Sequence, residues 1–146
     1  MRPLSFLTSL LFATLAIAQP NVLLVIADDL GLDPTPNYLP GPQKANMPNL
    51  EALMTNGLTF DNVWADPLCS PTRSTMLTGR YGFRTGVLNA NALSQLPPNE
   101  ITLHRYLTNS GSPYSTSIIG KWHLNGQLPN PGYPNFMGVP YYAGLI

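Results

Sequence analysis

A single cysteine, Cys69, stands in a chain of 146 residues. No internal disulfide can form, so the fold rests on packing alone. Charge is equally scarce: 10% of residues are charged, and seven Lys and Arg balance seven Asp and Glu. With no basic excess, the electrostatic term that drives nucleic-acid binding or polybasic membrane attachment is missing. No internal repeat and no long low-complexity tract occur, which excludes solenoids and linkers. What the chain does have is 16 Pro and 12 Gly. These mark many turns between a few short elements. Apolar residues make up 44% and come in organised runs, which opposes disorder. The length fits one domain or part of one.

The first 18 residues read as an export signal. Met1 and Arg2 give a positive start, an apolar stretch covers 4–17, and Ala16-Ile-Ala18 is a small-x-small cleavage pattern. Cleavage after Ala18 leaves a mature start near Gln19, with no stable membrane span, because the run is short for a bilayer. Export implies a secreted or periplasmic location, which is oxidising. A lone cysteine there is reactive, intermolecular or incidental.

Along the mature chain, residues 21–27 form a continuous apolar run that fits a strand buried on both faces. It ends in Asp28-Asp29, followed by a Pro-rich loop. Residues 46–56 predict a helix with Pro48 in its first turn, Leu50, Leu53 and Met54 on one face, and Gly57 closing it. Residues 58–64 predict a second strand. Ser70-Pro71 starts a helix that runs over 74–78 and stops at Gly79. Residues 101–109 predict a helix with Leu103, Tyr106 and Leu107 inward, and 114–119 a further strand. The tail from Gly126 is rich in Pro and Gly. The order strand, helix, strand, helix, strand predicts an α/β fold with a mainly parallel sheet flanked by helices. In such sheets ligands bind beyond the carboxyl ends of the strands. Asp28 and Asp29, Cys69, and Lys121 with His123 all fall at that predicted edge.

Three constellations carry chemistry. Asp28 and Asp29 supply oxygen ligands suited to Ca²⁺ or Mg²⁺; the plain alternative is a solvated strand end. Cys69, at a helix start with Arg73 four residues on, sits in a positive field that favours a thiolate; the plain alternative is a buried structural cysteine. Cysteine phosphatases place five residues between Cys and Arg, whereas only Ser70, Pro71 and Thr72 intervene here. Lys121 and His123 flank Trp122, so an extended segment projects both to one side, where they suit an anionic substrate. Arg80 and Arg84 read as structural or surface charges rather than catalytic ones.

These residues resemble the sulfatase family. Cys69-Ser-Pro-Thr-Arg-Ser-Thr-Met-Leu-Thr-Gly-Arg80 is similar to its signature, Cys-x-Pro-x-Arg followed by Thr-Gly-Arg. Tyr114-Ser-Thr-Ser-Ile-Ile-Gly-Lys-Trp-His123 resembles the second signature, residues 21–31 the opening strand with its Asp-Asp pair, and residues 132–138 a later Gly-Phe-Asp-x-Phe-x-Gly stretch. The matches follow the family's order over nearly all of the mature chain.

The resemblance implies an alkaline-phosphatase-like fold, here incomplete, and hydrolysis of aryl or carbohydrate sulfate esters. It implies that a formylglycine-generating enzyme oxidises Cys69 to an aldehyde, whose hydrate attacks sulfur in covalent catalysis. It further implies one Ca²⁺ held by Asp28, Asp29 and the modified Cys69, with Arg73 stabilising the modified residue. Lys121 would contact sulfate and nucleophile, and His123 would hydrogen-bond the formylglycine hydroxyl. Ser70 and Thr72 vary in the motif and receive no role.

Some positions depart from the family. Pro113 stands in the usual place of Gly, and Gly31-Leu-Asp-Pro34 replaces Gly-Tyr-Gly-Asp. Family members run to several hundred residues, and their later metal ligands, second lysine and leaving-group histidine have no counterpart here. The expectation is therefore an N-terminal part of a catalytic domain over 19–146, inactive alone. Two alternatives follow from the same residues: a phosphonate or phosphate ester hydrolase of the same superfamily, or a noncatalytic sulfatase-like binding remnant.

Overall fold

Elements crowd into the second half of the chain. A computed structural model of the protein describes residues 19–38, 43–127 and 130–146, so the expected export segment at 1–18 lies outside the described residues. The helices are α1 (Pro48–Asn56), α2 (Cys69–Thr78), α3 (Gly82–Thr85), α4 (Leu103–Asn109) and α5 (Tyr133–Phe136). The strands are β1 (Ser117–Ile119) and β2 (Tyr141–Ala143), and a short 3₁₀ turn covers Ala92–Ser94. The chain divides into two units, 1–30 and 31–146.

In the first unit, residues 21–27 form no strand, and Val22, Leu23, Leu24 and Val25 are exposed rather than buried on both faces. An apolar, β-branched run favours extended backbone, but a strand exists only when a neighbour completes its hydrogen bonds. Among the described residues no strand pairs with this run.

In the second unit, residues 58–64 also lack a ladder, and Leu58, Phe60, Val63 and Trp64 are exposed. The same cause applies: composition gave the preference and no partner satisfied it. Helix α1 forms where expected, with Pro48 at its first position and no buried residue, so the face shared by Leu50, Leu53 and Met54 covers no core. Gly57 ends it in an extended conformation (φ −116°) rather than a left-handed one.

Helix α2 is longer than expected, running unbroken from Cys69 with Pro71 inside its first turn, where proline lacks no needed donor. Gly79 terminates it at φ 67°, its N–H reaching Thr75 O at 2.8 Å, the left-handed stop that glycine supplies most cheaply. Helix α4 forms as expected, capped by the Thr102 hydroxyl accepting from Arg105 N, but its inward face differs. Leu103 and Tyr106 are exposed, and His104 is the buried residue. The rotation follows from Thr102, whose hydroxyl donates to Met137 O at 2.8 Å inside the core and fixes which side of the helix turns inward.

The expected strand over 114–119 shrinks to β1, and the Pro- and Gly-rich tail, for which no element was expected, supplies its partner. β2 lies parallel to β1 with Ser117 opposite Tyr141 and Ile119 opposite Ala143. Pairing continues past the strands: Gly120 N donates to Ala143 O at 2.8 Å and Trp122 N to Leu145 O at 2.7 Å. The two chains approach so closely that a Cβ on Gly144 would sit 1.8 Å from Gly120 O, which only glycine permits. The architecture is thus helices beside a small parallel sheet, compatible with an incomplete α/β sulfatase-like fold.

The core consists of Val87, Leu96, Trp122, Leu124, Tyr133, Met137 and Val139, with Leu77, Ile118 and Tyr142 packed against it. Each large apolar side chain removed from water contributes about 1.5–3 kcal/mol before entropy is counted. Trp122 is the largest fully buried side chain and packs edge-on against Tyr142. Some buried polar groups are tied in, as where the Tyr133 hydroxyl donates to Leu96 O at 2.6 Å and Leu96 N donates to Leu124 O at 3.0 Å, whereas Ser94 Oγ, His104 Nδ1 and Trp122 Nε1 have no hydrogen-bond partner among the described residues.

Candidate functional site

Two segments distant in sequence meet at the start of α2. The first is the α2 N-terminus, where Leu68 precedes the helix in an extended conformation and offers no side-chain cap. Neighbouring groups support that turn instead. Thr72 donates its hydroxyl to Asp66 O at 3.0 Å and to Leu68 O at 2.9 Å, while Thr75 donates to Asp66 Oδ2 at 2.8 Å. Asp66 thereby ties the chain before the helix to two of its residues, Thr72 through its backbone carbonyl and Thr75 through its carboxylate. Cys69 is the first residue of α2 and is half-buried.

The second segment is 121–124. Trp122 and Leu124 are buried in the core and pin it from below. Its backbone is not a regular strand, because His123 adopts φ 56°. An imidazole residue in the left-handed region is uncommon and signals a position held by its surroundings. The holding group is visible: Ser70 donates its hydroxyl to His123 O at 2.7 Å, and Ser70 is fully buried. One helical turn on, Arg73 Nη1 donates to Lys121 O at 2.5 Å.

These two bonds from α2 set the register of the segment, and the outcome is a side-chain contact. Cys69 Sγ lies 3.2 Å from His123 Nδ1. The tautomer of the ring decides whether sulfur or nitrogen donates. Either way the imidazole and the cysteine sulfur lie within hydrogen-bond distance although 54 positions apart in sequence. Chemically, this places a proton donor or acceptor beside a residue at a helix N-terminus, with a guanidinium from the same helix anchored to the opposing segment.

Of the residues singled out from sequence, Cys69, Arg73, Lys121 and His123 come together in this arrangement. Lys121 enters it through its carbonyl. The expectation that Lys121 and His123 project to one side of an extended strand does not hold, since the left-handed His123 breaks the alternation. Asp28 and Asp29 belong to the first unit, where they form a turn and are exposed; Asp29 has φ 58°. Among the described residues no group of three or more His, Cys, Asp or Glu side chains is arranged to hold a metal ion.

Sequence reasoning missed Ser70, Asp66 and Tyr142. Ser70 was set aside as a variable position, and no spacing rule reveals that its hydroxyl fixes the carbonyl of a residue 53 positions away. Tyr142 closes the far side: its hydroxyl bonds to Gly120 O at 3.1 Å and to Leu145 O. Burial raises its phenol pKa above the ordinary value, partly offset by a backbone hydrogen bond at Trp122 and by the Arg73 charge.

Arg80 also finds its role. One guanidinium nitrogen reaches both oxygens of Glu100, at 2.6 and 2.7 Å, and the Glu100 carboxylate is largely buried. Arg80 is thereby a tie between the end of α2 and the segment leading into α4, which matches its reading as structural.

Residues 20–144 match the family model described as Sulfatase. The chain is 40% identical to arylsulfatase A of Bos taurus over 97% of its own length and 29% of that protein's. It is 39% identical to arylsulfatase G of Mus musculus, covering 87% of this chain and 24% of the relative. It is 38% identical to human steryl-sulfatase, covering 89% and 24%. The chain thus spans about a quarter of the length of the curated relatives it matches.

Proposed function

Since the chain belongs to the sulfatase family, we propose that it serves the hydrolysis of sulfate esters, with Cys69 as the residue converted to formylglycine. The contact that supports this reading is Cys69 Sγ against His123 Nδ1 at 3.2 Å, inside a Cys-x-Pro-x-Arg stretch. A thiol is a poor nucleophile toward a sulfate ester, whereas the hydrated aldehyde supplies a hydroxyl that attacks sulfur and releases the alcohol. The imidazole contact at Cys69 supports assigning His123 the task of holding or moving the proton of that hydroxyl. Ser70 keeps His123 in its left-handed conformation and so aims the ring. Arg73, bonded to the Lys121 carbonyl, fixes the distance between helix and segment and brings positive charge toward the nucleophile. Lys121 is the residue assigned to the sulfate oxygens.

Asp28 and Asp29 would hold Ca²⁺, contributing part of its six to eight oxygen ligands. The donors fit that ion: both are hard carboxylates, both are exposed, and the left-handed Asp29 turns the chain between them and Leu30. When bound, the ion would supply charge that polarises the ester oxygens. A formylglycine-generating enzyme would act on the exported chain, with residues 1–18 as its signal and a secreted or periplasmic destination. Among the described residues no helix is long and apolar enough to cross a membrane.

The test is mass spectrometry of the chain exported from a host that makes formylglycine, reading the tryptic peptide spanning 45–73. An aldehyde in place of the Cys69 thiol is the expected result. An intact thiol in such a host would reject the sulfatase chemistry and favour a noncatalytic, sulfatase-like binding protein.

A further inference from the structure

Asparagine precedes glycine twice in the chain, at Asn56-Gly57 and at Asn125-Gly126. The two pairs are alike in local chemistry and differ in their surroundings. We propose that Asn56-Gly57 is a modification site, where the side-chain amide is lost through a succinimide, and that the fold protects Asn125-Gly126 from the same reaction. The site shares no residue with the Cys69 cluster and stands independently of the sulfate-ester reading.

The reaction joins two neighbouring residues. The Gly57 backbone nitrogen gives its proton to solvent and attacks Asn56 Cγ. The Cγ–Nδ2 bond breaks, and Nδ2 takes up a proton and leaves as ammonia. Water then opens the five-membered ring. Attack of water at Cγ gives aspartate. Attack at the backbone carbonyl gives isoaspartate, in which the main chain runs through Cβ and Cγ. No atom is oxidised or reduced, and water is the co-reactant. Glycine favours the first step because no side chain crowds the attacking nitrogen and the backbone rotates freely.

The fold resists this step weakly at Asn56. Asn56 is the last residue of α1, and both it and Gly57 are exposed. Gly79 N and Gly86 N close α2 and α3 with bonds of 2.8 Å, whereas no such bond closes α1 among the described residues. The Asn56 side chain is tied at the surface, Nδ2 donating to Ala52 O at 2.8 Å. That tie lasts only as long as the last turn of α1. The helix has nine residues and buries none of them. Helices shorter than about 12–15 residues are marginal without a packed face. The last turn therefore opens at small cost and frees both reacting atoms. A larger residue cannot simply replace the glycine, since a Cβ on Gly57 would lie 2.8 Å from Leu53 O.

Asn125 stands in the opposite setting. It is 4% exposed and follows the fully buried Leu124, whose carbonyl accepts from Leu96 N. Gly126 is held at φ 63°, with a Cβ position 3.2 Å from the Gln95 Cβ. Bringing the Gly126 nitrogen onto Asn125 Cγ requires this part of the core to open. At Asn56 the products also act on the helix. Each places a carboxylate at the negative end of α1, where the last turn holds no basic residue, and removes the donor to Ala52 O. Modification thus loosens the helix that carries Leu50, Leu53 and Met54.

The experiment is ageing of the 146-residue chain at mildly alkaline pH, with and without denaturant, followed by mass spectrometry of the tryptic peptides spanning 45–73 and 122–146. In native buffer the Asn56 amide should convert to acid at least about tenfold faster than the Asn125 amide, a ratio equal to about 1.4 kcal/mol of extra opening free energy at Asn125. In denaturant the two rates should converge, because both pairs then lie in an open chain. Asn56→Gln should remove the signal at position 56 and leave Asn125 unchanged. Asn56→Asp carries the charge of the product and should speed amide hydrogen exchange within α1 about two- to fivefold, the factor equal to about 0.3–1 kcal/mol at a helix end. Equal rates at the two pairs in native buffer overturn the proposal, as does a ratio that denaturant leaves unchanged. Exchange that Asn56→Asp does not alter overturns the link to α1. The state of Cys69 changes none of these readouts, so the sulfatase chemistry stands or falls separately.

Discussion

Gly82 shows how one residue can set the position of a whole turn. A Cβ built on it would lie 2.5 Å from Val87 O and 3.3 Å from the Pro71 Cβ. Its φ lies outside the left-handed range, so space and not backbone preference demands glycine. Backbone cannot yield as a flexible side chain does, so Gly82→Ala should force the start of α3 away from the chain at Val87, and to a lesser degree from Pro71 on α2. The expected cost is about 1–3 kcal/mol, the usual range for overpacking a fixed site. A lower midpoint in chemical denaturation with an unchanged slope would bear this out. An unchanged midpoint would show that the turn between Gly82 and Val87 is less tightly packed than the contact indicates. The same scale applies to His123. Its left-handed backbone is held by the Ser70 hydroxyl, so the residue that aims the imidazole is one that carries no reactive group of its own.

At the scale of elements, the fold is joined by polar ties as much as by apolar faces. Arg80 and Glu100 link the end of α2 to the start of α4, with the arginine side chain half exposed and the carboxylate 8% exposed. Removing Arg80 leaves that carboxylate buried and uncompensated. Exposed pairs are worth about 0.2–1 kcal/mol and broken buried ones about 3–5, so solvent screening on the arginine side places Arg80→Ala near 2 kcal/mol. Adding Glu100→Gln should recover part of that loss, because the unpaired charge is then gone. Denaturation of both single variants and the double variant tests it: equal and additive losses would mean that the pair does not couple the elements. The parallel pair of β1 and β2 is the other tie. It carries the 121–123 segment through the bonds at Gly120 and Trp122, so the second wall of the site depends on a strand from the C-terminal tail.

For the molecule as a whole, stability should depend on pH through His104. This side chain is 7% exposed, and its Nδ1 has no hydrogen-bond partner among the described residues. Burial lowers its pKa below the ordinary value of about 6.5. Below that value the unfolded chain binds a proton that the folded chain resists. The neutral-histidine state is thus fully available above about pH 6.5, and stability falls as pH drops from there toward the lower folded pKa. Melting temperature measured from pH 7.5 to 5 should decline in the native chain, and His104→Gln should flatten the decline. A decline of the same steepness in the variant would assign it to other groups.

Sequence alone determined the pieces whose cause is local. Pro48 and Gly79 bound their helices because proline and glycine carry their backbone preferences wherever they stand. The Cys69 to Arg80 stretch pointed to its family because its fixed positions fall within twelve consecutive residues, and the sulfatase match confirms that reading. Tertiary structure decided everything that needs a second segment. Residues 21–27 and 58–64 have the composition of strands, yet a ladder requires a partner that composition does not supply. Conversely, 141–143 carried no strand signal in a Pro- and Gly-rich tail and became a strand because β1 lay beside it. The inward face of α4 turned to His104 because Thr102 is anchored to Met137, 35 residues on. The meeting of Cys69 and His123 was set the same way. Both residues could be picked out by type, but the 3.2 Å between them depends on Ser70, Arg73 and β2 holding two distant stretches in one register.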